Sequence, residues 1–283
     1  MSSLSDITLT SSMQSSLLTL KDTTSLINRT LERTSTGKKV NSALDDAVNF
    51  FLAQSLTQNA SDFATAKDNM AISVRTLKAA DAGITAINSL LSNLKSIAQN
   101  AKSATTTLAV TTFAAAYDVV RNQIDSIAVS SGTNNADGTF NSKNLLAAEV
   151  MTVQLGSSSS LTVTGFDAST GATGLNVIAA TGAWTAPGVG AIDTALTDID
   201  NAMQSLKNNA QLMSSNMSIV TIRQKFADNM IKQFTGGAED LTNADMNEES
   251  ANLLMLQTRQ ALALQGISIA GQAAQASLRL NGG

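Results

Sequence analysis

The chain has 283 residues, a net charge of −4 and neither cysteine nor histidine. The acidic balance argues against nucleic-acid binding, which needs a basic surface. Without cysteine or histidine the chain cannot form disulfides, thiolate nucleophiles or Ser-His-Asp triads, and it lacks the usual ligands of zinc and haem.

Membrane and enzymatic functions are also disfavoured. The sequence has no run of about 18 apolar residues, and its N-terminal segment lacks the basic region and cleavage site typical of a secretory signal. No combination of acid, base and nucleophile remains to suggest catalysis. We therefore expect neither an enzyme nor a bound cofactor, metal ion, nucleic acid or membrane.

The first predicted element is an amphipathic helix near the N-terminus. Its apolar face repeats at steps of three and four residues and comprises Met13, Leu17, Leu20, Thr24, Ile27 and Leu31. Gly37 is predicted to supply the left-handed residue that ends the helix, which we favour over a phosphate-binding "GKK" loop because the spacing of such loops is absent.

The next helix is expected to start at a capping box formed by Ser42 and Asp45. Asp46 would then lie in the first turn, where carboxylates suit the helix dipole. A pair of catalytic or cation-binding carboxylates is the alternative interpretation of Asp45 and Asp46.

Three long helices are predicted in the body of the chain. Apolar stripes run from Leu56 to Ala101, from Phe113 to Ile127 and, as a heptad repeat, from Ile192 to Val220. Gly83 is the single weak point of the first stripe. We expect these helices to pack together as a bundle.

The segment between the second and third long helices has a different pattern. Met151, Val153 and Leu155 alternate with polar residues, and a second alternating run follows the sequence GSSSS. This pattern predicts a β-hairpin, with a flexible Ser/Gly linker as the alternative.

The last predicted helix begins after Gly236 and Gly237, and Asp245, Glu248 and Glu249 are expected to form a solvated first turn. Apolar residues then occupy two faces. One face comprises Leu253, Leu256, Leu264, Ile267, Ala270, Ala274 and Leu278, and the other comprises Met255, Leu262, Ile269, Ala273, Ala276 and Leu280.

Pairing with the N-terminal helix covers only one of these faces. Other copies of the chain are therefore expected to cover the second face, so that the terminal helices fold as the copies assemble. Contacts between different patches of successive copies propagate into a helical filament.

Together the patterns predict a mainly α fold: an elongated coiled-coil bundle of long antiparallel helices with paired terminal helices and a small inserted β-hairpin. The expected divisions are an N-terminal helix (1–40), helical rods (41–140), the hairpin region (141–190), a returning helix (191–236) and a C-terminal helix (237–283).

Three segments resemble the bacterial flagellin family. "ERTSTGKKVNSALDDAVNFFLAQSL" (32–56) is similar to the family's N-terminal motif, "FNSKNLL" (140–146) to its entry into a β region, and "EESANLLMLQTRQALALQGISIAGQAAQASLRL" (248–280) to its C-terminal helix. The motif residues include Gly37, Asn41, Ser42, Asp45 and Asp46. Thr34, Val40 and Ser142 depart from the family pattern, which has leucine, isoleucine and glycine there.

The resemblance implies a secreted subunit of the extracellular flagellar filament, used for swimming motility and exported by a type III apparatus. Implied partners are further copies of the chain, other flagellins, an export chaperone, the filament cap and hook-associated proteins. A hook–filament junction protein of the same superfamily is the alternative. The expected polymerisation interface comprises Met13, Leu17, Leu20, Ile27, Leu31, Leu253, Leu256, Leu262, Leu264, Ile267, Ile269, Ala270, Ala274, Leu278 and Leu280.

Overall fold

The computed structural model describes residues 11–131, 143–156, 159–184 and 189–281. These residues form five α-helices and a two-stranded antiparallel sheet, which confirms a mainly α fold with a small β-hairpin. The elements are α1 (Ser11–Thr36), α2 (Ala47–Lys102), α3 (Thr107–Ser130), β1 (Val150–Gln154), β2 (Ser160–Thr164), α4 (Val189–Thr242) and α5 (Met246–Asn281).

The chain divides into two compact units. The first unit joins the described residues up to Gln58 to those from Gln233 onwards, and the second is Asn59–Lys232. The finer division expected from the sequence, with borders after residues 40, 140, 190 and 236, stays a prediction.

The second unit is a bundle of α2, α3 and α4 around one apolar core. Met70, Leu91, Tyr117, Ile124 and Ile199 are completely buried in it. The predicted stripes supply these residues, because positions three and four apart fall on one side of a helix. The expected packing of the three long helices is confirmed.

Ion pairs mark the register of α2 against α4. The lysine positions rise along α2 while their aspartate partners fall along α4 by equal steps, so the two helices run antiparallel. The pairs are Lys67–Asp228 at 2.6 Å, Lys95–Asp200 at 2.6 Å and Lys102–Asp193 at 2.5 Å. All six side chains are at least a third exposed, and such pairs contribute little stability. They favour one register over others.

Gly83, the predicted weak point of α2, is a close-packing position, and α2 continues through it. A Cβ atom there would overlap the Ser131 hydroxyl oxygen and a methyl group of Leu146, and Leu146 is completely buried. The missing side chain lets the segment after α3 lie directly on α2.

The hairpin is confirmed over the linker alternative. Val150 pairs with Thr164 and Gln154 with Ser160, in antiparallel register. Met151, Val153 and Val163 are buried, whereas Thr152 is exposed, as alternation along a half-buried strand requires. Residues 157 and 158 of the connecting segment lie outside the described residues.

Three charged side chains of α3 hold the irregular segment that follows the hairpin. Asp118, Arg121 and Asp125 have helical spacing and share one face of α3. The Asp118 carboxylate accepts the backbone N–H groups of Ala180 and Thr181, both at 2.8 Å. The Asp125 carboxylate accepts the N–H of Thr170 at 2.6 Å. The Arg121 guanidinium donates from Nε to the carbonyl oxygen of Val177 at 2.8 Å. These contacts replace the hydrogen bonds that a sheet would supply.

The protonation of Asp118 affects this arrangement. Burial alone would raise the pKa of Asp118, but hydrogen bonds from Thr181 and Ala180 and the charge of Arg121 outweigh it, so the pKa lies below its ordinary value. A carboxyl group with a depressed folded pKa stabilises the fold above its unfolded pKa of about 4. This contribution is lost as the pH falls through the lower, folded pKa.

We expect Asp118→Ala to destabilise the second unit by about 1–3 kcal/mol at neutral pH, because the N–H of buried Ala180 loses its acceptor. The difference from the unaltered chain should shrink as the pH falls below about 4. Urea unfolding can be followed by the fluorescence of Trp184, the only tryptophan, which is buried with its ring centroid 4.9 Å from that of Tyr117. Gln123→Ala, at an exposed position of α3, is the control; equal stability of the two variants would contradict the role of Asp118.

The first unit contains α1 and α5 and the segments next to them. Backbone hydrogen bonds join the segment after α1 to the end of α4 and the segment after it. Lys39 N donates to Thr242 O at 2.7 Å, and Ala244 N donates to Gly37 O at 2.9 Å. The predicted helix boundary at Gly236 and Gly237 is wrong, because α4 continues through both glycines to Thr242. A Cβ at Gly237 would make an ordinary contact with a methyl group of Leu56 at 3.4 Å, and a Cβ at Gly236 would have no neighbour within 4 Å, so packing requires neither glycine.

Candidate assembly surface

The turn between α1 and α2 is built from the predicted motif residues. Gly37 has φ +69°, the left-handed conformation expected after a helix end. One Asp45 carboxylate oxygen accepts the N–H groups of Asn41 and Ser42 at 3.1 and 3.0 Å. These two hydrogen bonds hold the pKa of Asp45 below its ordinary value, and the one from Ser42 has the larger effect. The carboxylate closes the turn.

The predicted capping box at the start of α2 is wrong. Ser42 and Asp45 lie in a separate turn, and α2 begins only at Ala47. Asp46 caps it, since its side chain accepts Asn49 N at 3.0 Å and its carbonyl accepts Phe50 N at 2.9 Å. Both aspartates are thus engaged by the backbone, as a capping and turn role requires.

The contact between α1 and α5 contains more polar groups than the sequence pattern suggested. Thr23, Ile27 and Thr30 are the buried residues of α1 among those described, and the Thr23 hydroxyl donates to the carbonyl of Thr19 at 2.7 Å. The predicted face is therefore rotated. Its members Met13 and Leu20 are partly buried, whereas Leu17 and Leu31 are 43% and 46% exposed.

An ion pair between a buried carboxylate and a quarter-exposed guanidinium joins the two terminal helices. Arg33 of α1 contacts Glu249 of α5 at 3.1 Å, and the Glu249 side chain is only 9% exposed. The prediction of a solvated first turn is wrong for Glu249, although Glu248 is exposed and Asp245 caps α5 by accepting Asn247 N at 2.8 Å. The pair fixes the register of α1 against α5.

The face of α5 that packs towards α1 is only partly covered. Leu256 is buried, and Leu253, Ile267 and Ala270 are partly buried. Leu264, predicted on the same face, is 53% exposed. The side chains of Ala274, Leu278 and Leu280 lie outside the described part of the chain.

The second face of α5 forms an exposed apolar stripe. Met255, Leu262 and Ile269 are 56%, 68% and 57% exposed and stand seven positions apart, close to two helical turns. Ala273 and Ala276 are also exposed. We call Met255, Leu262 and Ile269 the outer stripe.

A second exposed apolar patch was missed in the sequence. Leu44 is 98% exposed, and Val48, Phe51 and Leu52 at the start of α2 are 77%, 59% and 48% exposed. Their spacing of three and four residues was visible, but the predicted α2 stripe started only at Leu56. We call these four residues the turn patch.

These surfaces consist of apolar side chains that contact with another protein can bury. Among the described residues, no group of three or more acidic side chains is placed so that it could bind a metal ion. Within the same residues, every helix falls short of the length and apolarity that crossing a membrane requires. Large exposed apolar surfaces are typical of protein–protein contact sites.

Comparison with known proteins gives consistent matches. The family model of the bacterial flagellin N-terminal helical region matches residues 7–150. The chain is 30% identical to flagellin FljO of Caulobacter vibrioides over 270 residues, covering 93% of this chain and 94% of that protein. Flagellin FljM of the same organism is 30% identical over 272 residues, with the same coverage. The crystal structure of Bacillus cereus flagellin aligns at 19% identity with a TM-score of 0.43, covering 56% of this chain and 88% of that one.

Proposed function

The chain belongs to the bacterial flagellin family, and we propose that it assembles as the subunit of an extracellular flagellar filament, through the outer stripe and the neighbouring apolar surface of its terminal helices. The family is structural. The hook–filament junction alternative is not favoured, because the relatives found over nearly the whole chain are flagellins.

The exposed apolar side chains of α1 and α5 are the observation that carries the interface proposal. Besides the outer stripe, Leu18 and Leu26 of α1 are 64% and 46% exposed, and Leu254 of α5 is 67% exposed. Burying an aliphatic side chain of this size stabilises by about 1.5–3 kcal/mol. Contact with further copies would remove several such side chains from water at once.

Folding of the terminal helices is proposed to depend on this contact. Within the described residues of α1 and α5, Ile27 and Leu256 are the buried apolar side chains. Ordering the backbone costs about 1–2 kcal/mol per residue, and helices with little packing are marginal in water. The internal contact of the pair is too small to offset this cost, and assembly would supply the missing burial.

The interface so proposed comprises the sequence-predicted residues with the turn patch added. Leu17, Leu31, Leu262, Leu264 and Ile269 would contact other copies directly, because their side chains are at least two-fifths exposed. Met13, Leu20, Ile27, Leu253, Leu256, Ile267 and Ala270 would act by holding α1 against α5. Ala274, Leu278 and Leu280 remain predicted members.

Export and partners are proposed from family membership alone. The chain would leave the cell by type III export with a dedicated chaperone and would polymerise beneath a filament cap, after hook-associated proteins and together with other flagellins.

Polymerisation of the purified chain tests the proposal. Monomer seeded with short filament fragments should give rising light scattering, and electron micrographs should show long filaments. A Caulobacter flagellin treated in parallel controls for the conditions. Failure of this chain to elongate seeds under conditions in which the control polymerises would contradict the filament proposal, and growth limited to a short cap on each seed would favour the junction alternative.

The Arg33–Glu249 pair provides a test of the α1–α5 contact. We expect Arg33→Met to raise the monomer concentration in equilibrium with filaments by about tenfold or more, because the buried Glu249 carboxyl group loses its cationic partner. Sedimentation of the polymer followed by assay of the supernatant measures this concentration.

Lys95→Met is the matched control. It removes the cation of an exposed pair in the second unit, which should change the equilibrium concentration by less than about fivefold. Equal effects of the two substitutions would contradict a special role for the buried pair.

A further inference from the structure

The methionines of the chain differ sharply in exposure. Among the described residues, Met70, Met151 and Met213 are buried in the second unit, and most others are partly buried. Met246 and Met255 are the exposed ones, at 42% and 56%, and both belong to α5. Among the described methionines, those of α5 are therefore the most accessible to a reagent that attacks thioethers in water.

The two exposed methionines lie on different sides of α5. They are separated by about two and a half helical turns, which places them on opposite sides. Met255 belongs to the outer stripe with Leu262 and Ile269, and its neighbour Leu254 is also exposed. Met246 is the first residue of the helix and is not part of the stripe.

We propose that Met255 is an oxidation site that controls assembly: a peroxide converts it to the sulfoxide, and the oxidised chain no longer joins a filament. This inference rests on the proposed function. The thioether sulfur attacks one peroxide oxygen, the O–O bond breaks and a new S–O bond forms. Sulfur is oxidised by two electrons, and hydrogen peroxide is reduced to water.

Oxidation opposes assembly because it makes the Met255 side chain more strongly hydrated. The thioether is apolar and flexible and suits a dry contact between helices, whereas the sulfoxide is polar and keeps a hydration shell. Burying the sulfoxide against another copy takes water away from its oxygen, so it costs more than burying the thioether. In the free chain the sulfoxide of Met255 stays in water and does not have this free-energy cost. Oxidation therefore opposes assembly without affecting the bundle of the second unit.

Assembly in turn protects the sulfur. A Met255 side chain covered by another copy is out of reach of the oxidant, so filaments and free chains oxidise at different rates. The modification is reversible, because methionine sulfoxide reductases restore the thioether. The free chain is therefore the oxidation-sensitive form and the filament the resistant form.

The test compares three chains that carry their other methionines unchanged. The chains are the free wild type, Met255→Leu and Met246→Leu, and each is treated with limiting hydrogen peroxide. Peptide mass mapping locates the sulfoxides, and the polymerisation of each chain is then measured. We expect oxidation to raise the equilibrium monomer concentration of the wild type and of Met246→Leu by about tenfold or more, and that of Met255→Leu by less than about twofold.

Two further measurements make the outcome decisive. Sulfoxide reductase should restore polymerisation of the oxidised wild type, which tests the site without any substitution. Met255→Gln, a polar side chain of similar length, should polymerise as poorly as the oxidised chain. Should Met255→Leu itself fail to polymerise before oxidation, Met255→Ile takes its place.

The results separate the two proposals. Wild-type chain that does not polymerise before oxidation contradicts the proposed function. Wild-type chain that polymerises equally well before and after complete oxidation of Met255 contradicts this inference and leaves the proposed function standing. Equal oxidation rates of Met255 in free chains and in filaments would also overturn it.

Discussion

A chain that ends at Asn252 is expected to stay monomeric at concentrations at which the full-length chain forms filaments. The truncation removes most of α5, including Leu256 and the whole outer stripe, and leaves α1 without its partner helix. An α1 helix without packing is marginal in water, so the terminal surface is lost from both ends of the chain. Filament formation is measured by sedimentation and electron microscopy.

The bundle of the second unit should survive this truncation. Its core lies within Asn59–Lys232, and none of its buried side chains is removed. Urea unfolding followed by Trp184 fluorescence should therefore have the same midpoint in both chains. Loss of polymerisation together with loss of the bundle would show general misfolding instead of a missing contact.

A chain lacking only residues 282 and 283 is the control, and it should polymerise normally. Filaments of ordinary length from the chain that ends at Asn252 would contradict the assignment of assembly to the terminal helices.

The long helices and the hairpin could be predicted from the sequence because their buried residues recur at the regular spacing of a helix or a strand. Met70, Leu91 and Ile199 lie in stripes with helical spacing, and Met151 and Val153 lie in a strand alternation. Each pattern repeats often enough that a single exception does not change the result.

Element ends were harder, because one local contact decides them. The capping box of Ser42 and Asp45 has the right spacing, yet Asp46 caps α2, and spacing alone does not show which carboxylate the helix uses. Gly236 and Gly237 suggested a helix end, but α4 continues through both, because a glycine inside a helix costs only about 1 kcal/mol relative to alanine and the rest of a long helix offsets it.

Individual polar contacts between distant parts of the chain could not be predicted. Glu249 is buried because Arg33, 216 positions earlier, reaches it across the α1–α5 contact. Likewise, Asp118 and Asp125 accept backbone N–H groups, and a backbone group leaves no pattern in the sequence. Many apolar residues of the candidate surface were predicted, whereas the turn patch and the polar groups that set the register of α1 against α5 were not.

The outer stripe allows assembly to be separated from folding by a single substitution. We expect Leu262→Asp to prevent filament formation, because a carboxylate buried between copies without a partner costs several kcal/mol. In the free chain Leu262 is 68% exposed, so the same substitution should change stability by only about 0.5 kcal/mol. Sedimentation measures the first effect and circular dichroism during urea unfolding the second.

Two further substitutions on α5 show which property of Leu262 matters. Ser250→Asp adds the same charge at an exposed position of the first turns, where it suits the helix dipole, and should leave polymerisation nearly unchanged. Ile267→Asp places the charge on the partly buried side towards α1, so it should weaken the α1–α5 contact as well as assembly. If Leu262→Asp polymerised like the unaltered chain while Ile267→Asp did not, copies would meet through another surface, and the terminal helices would be needed only for their contact with each other.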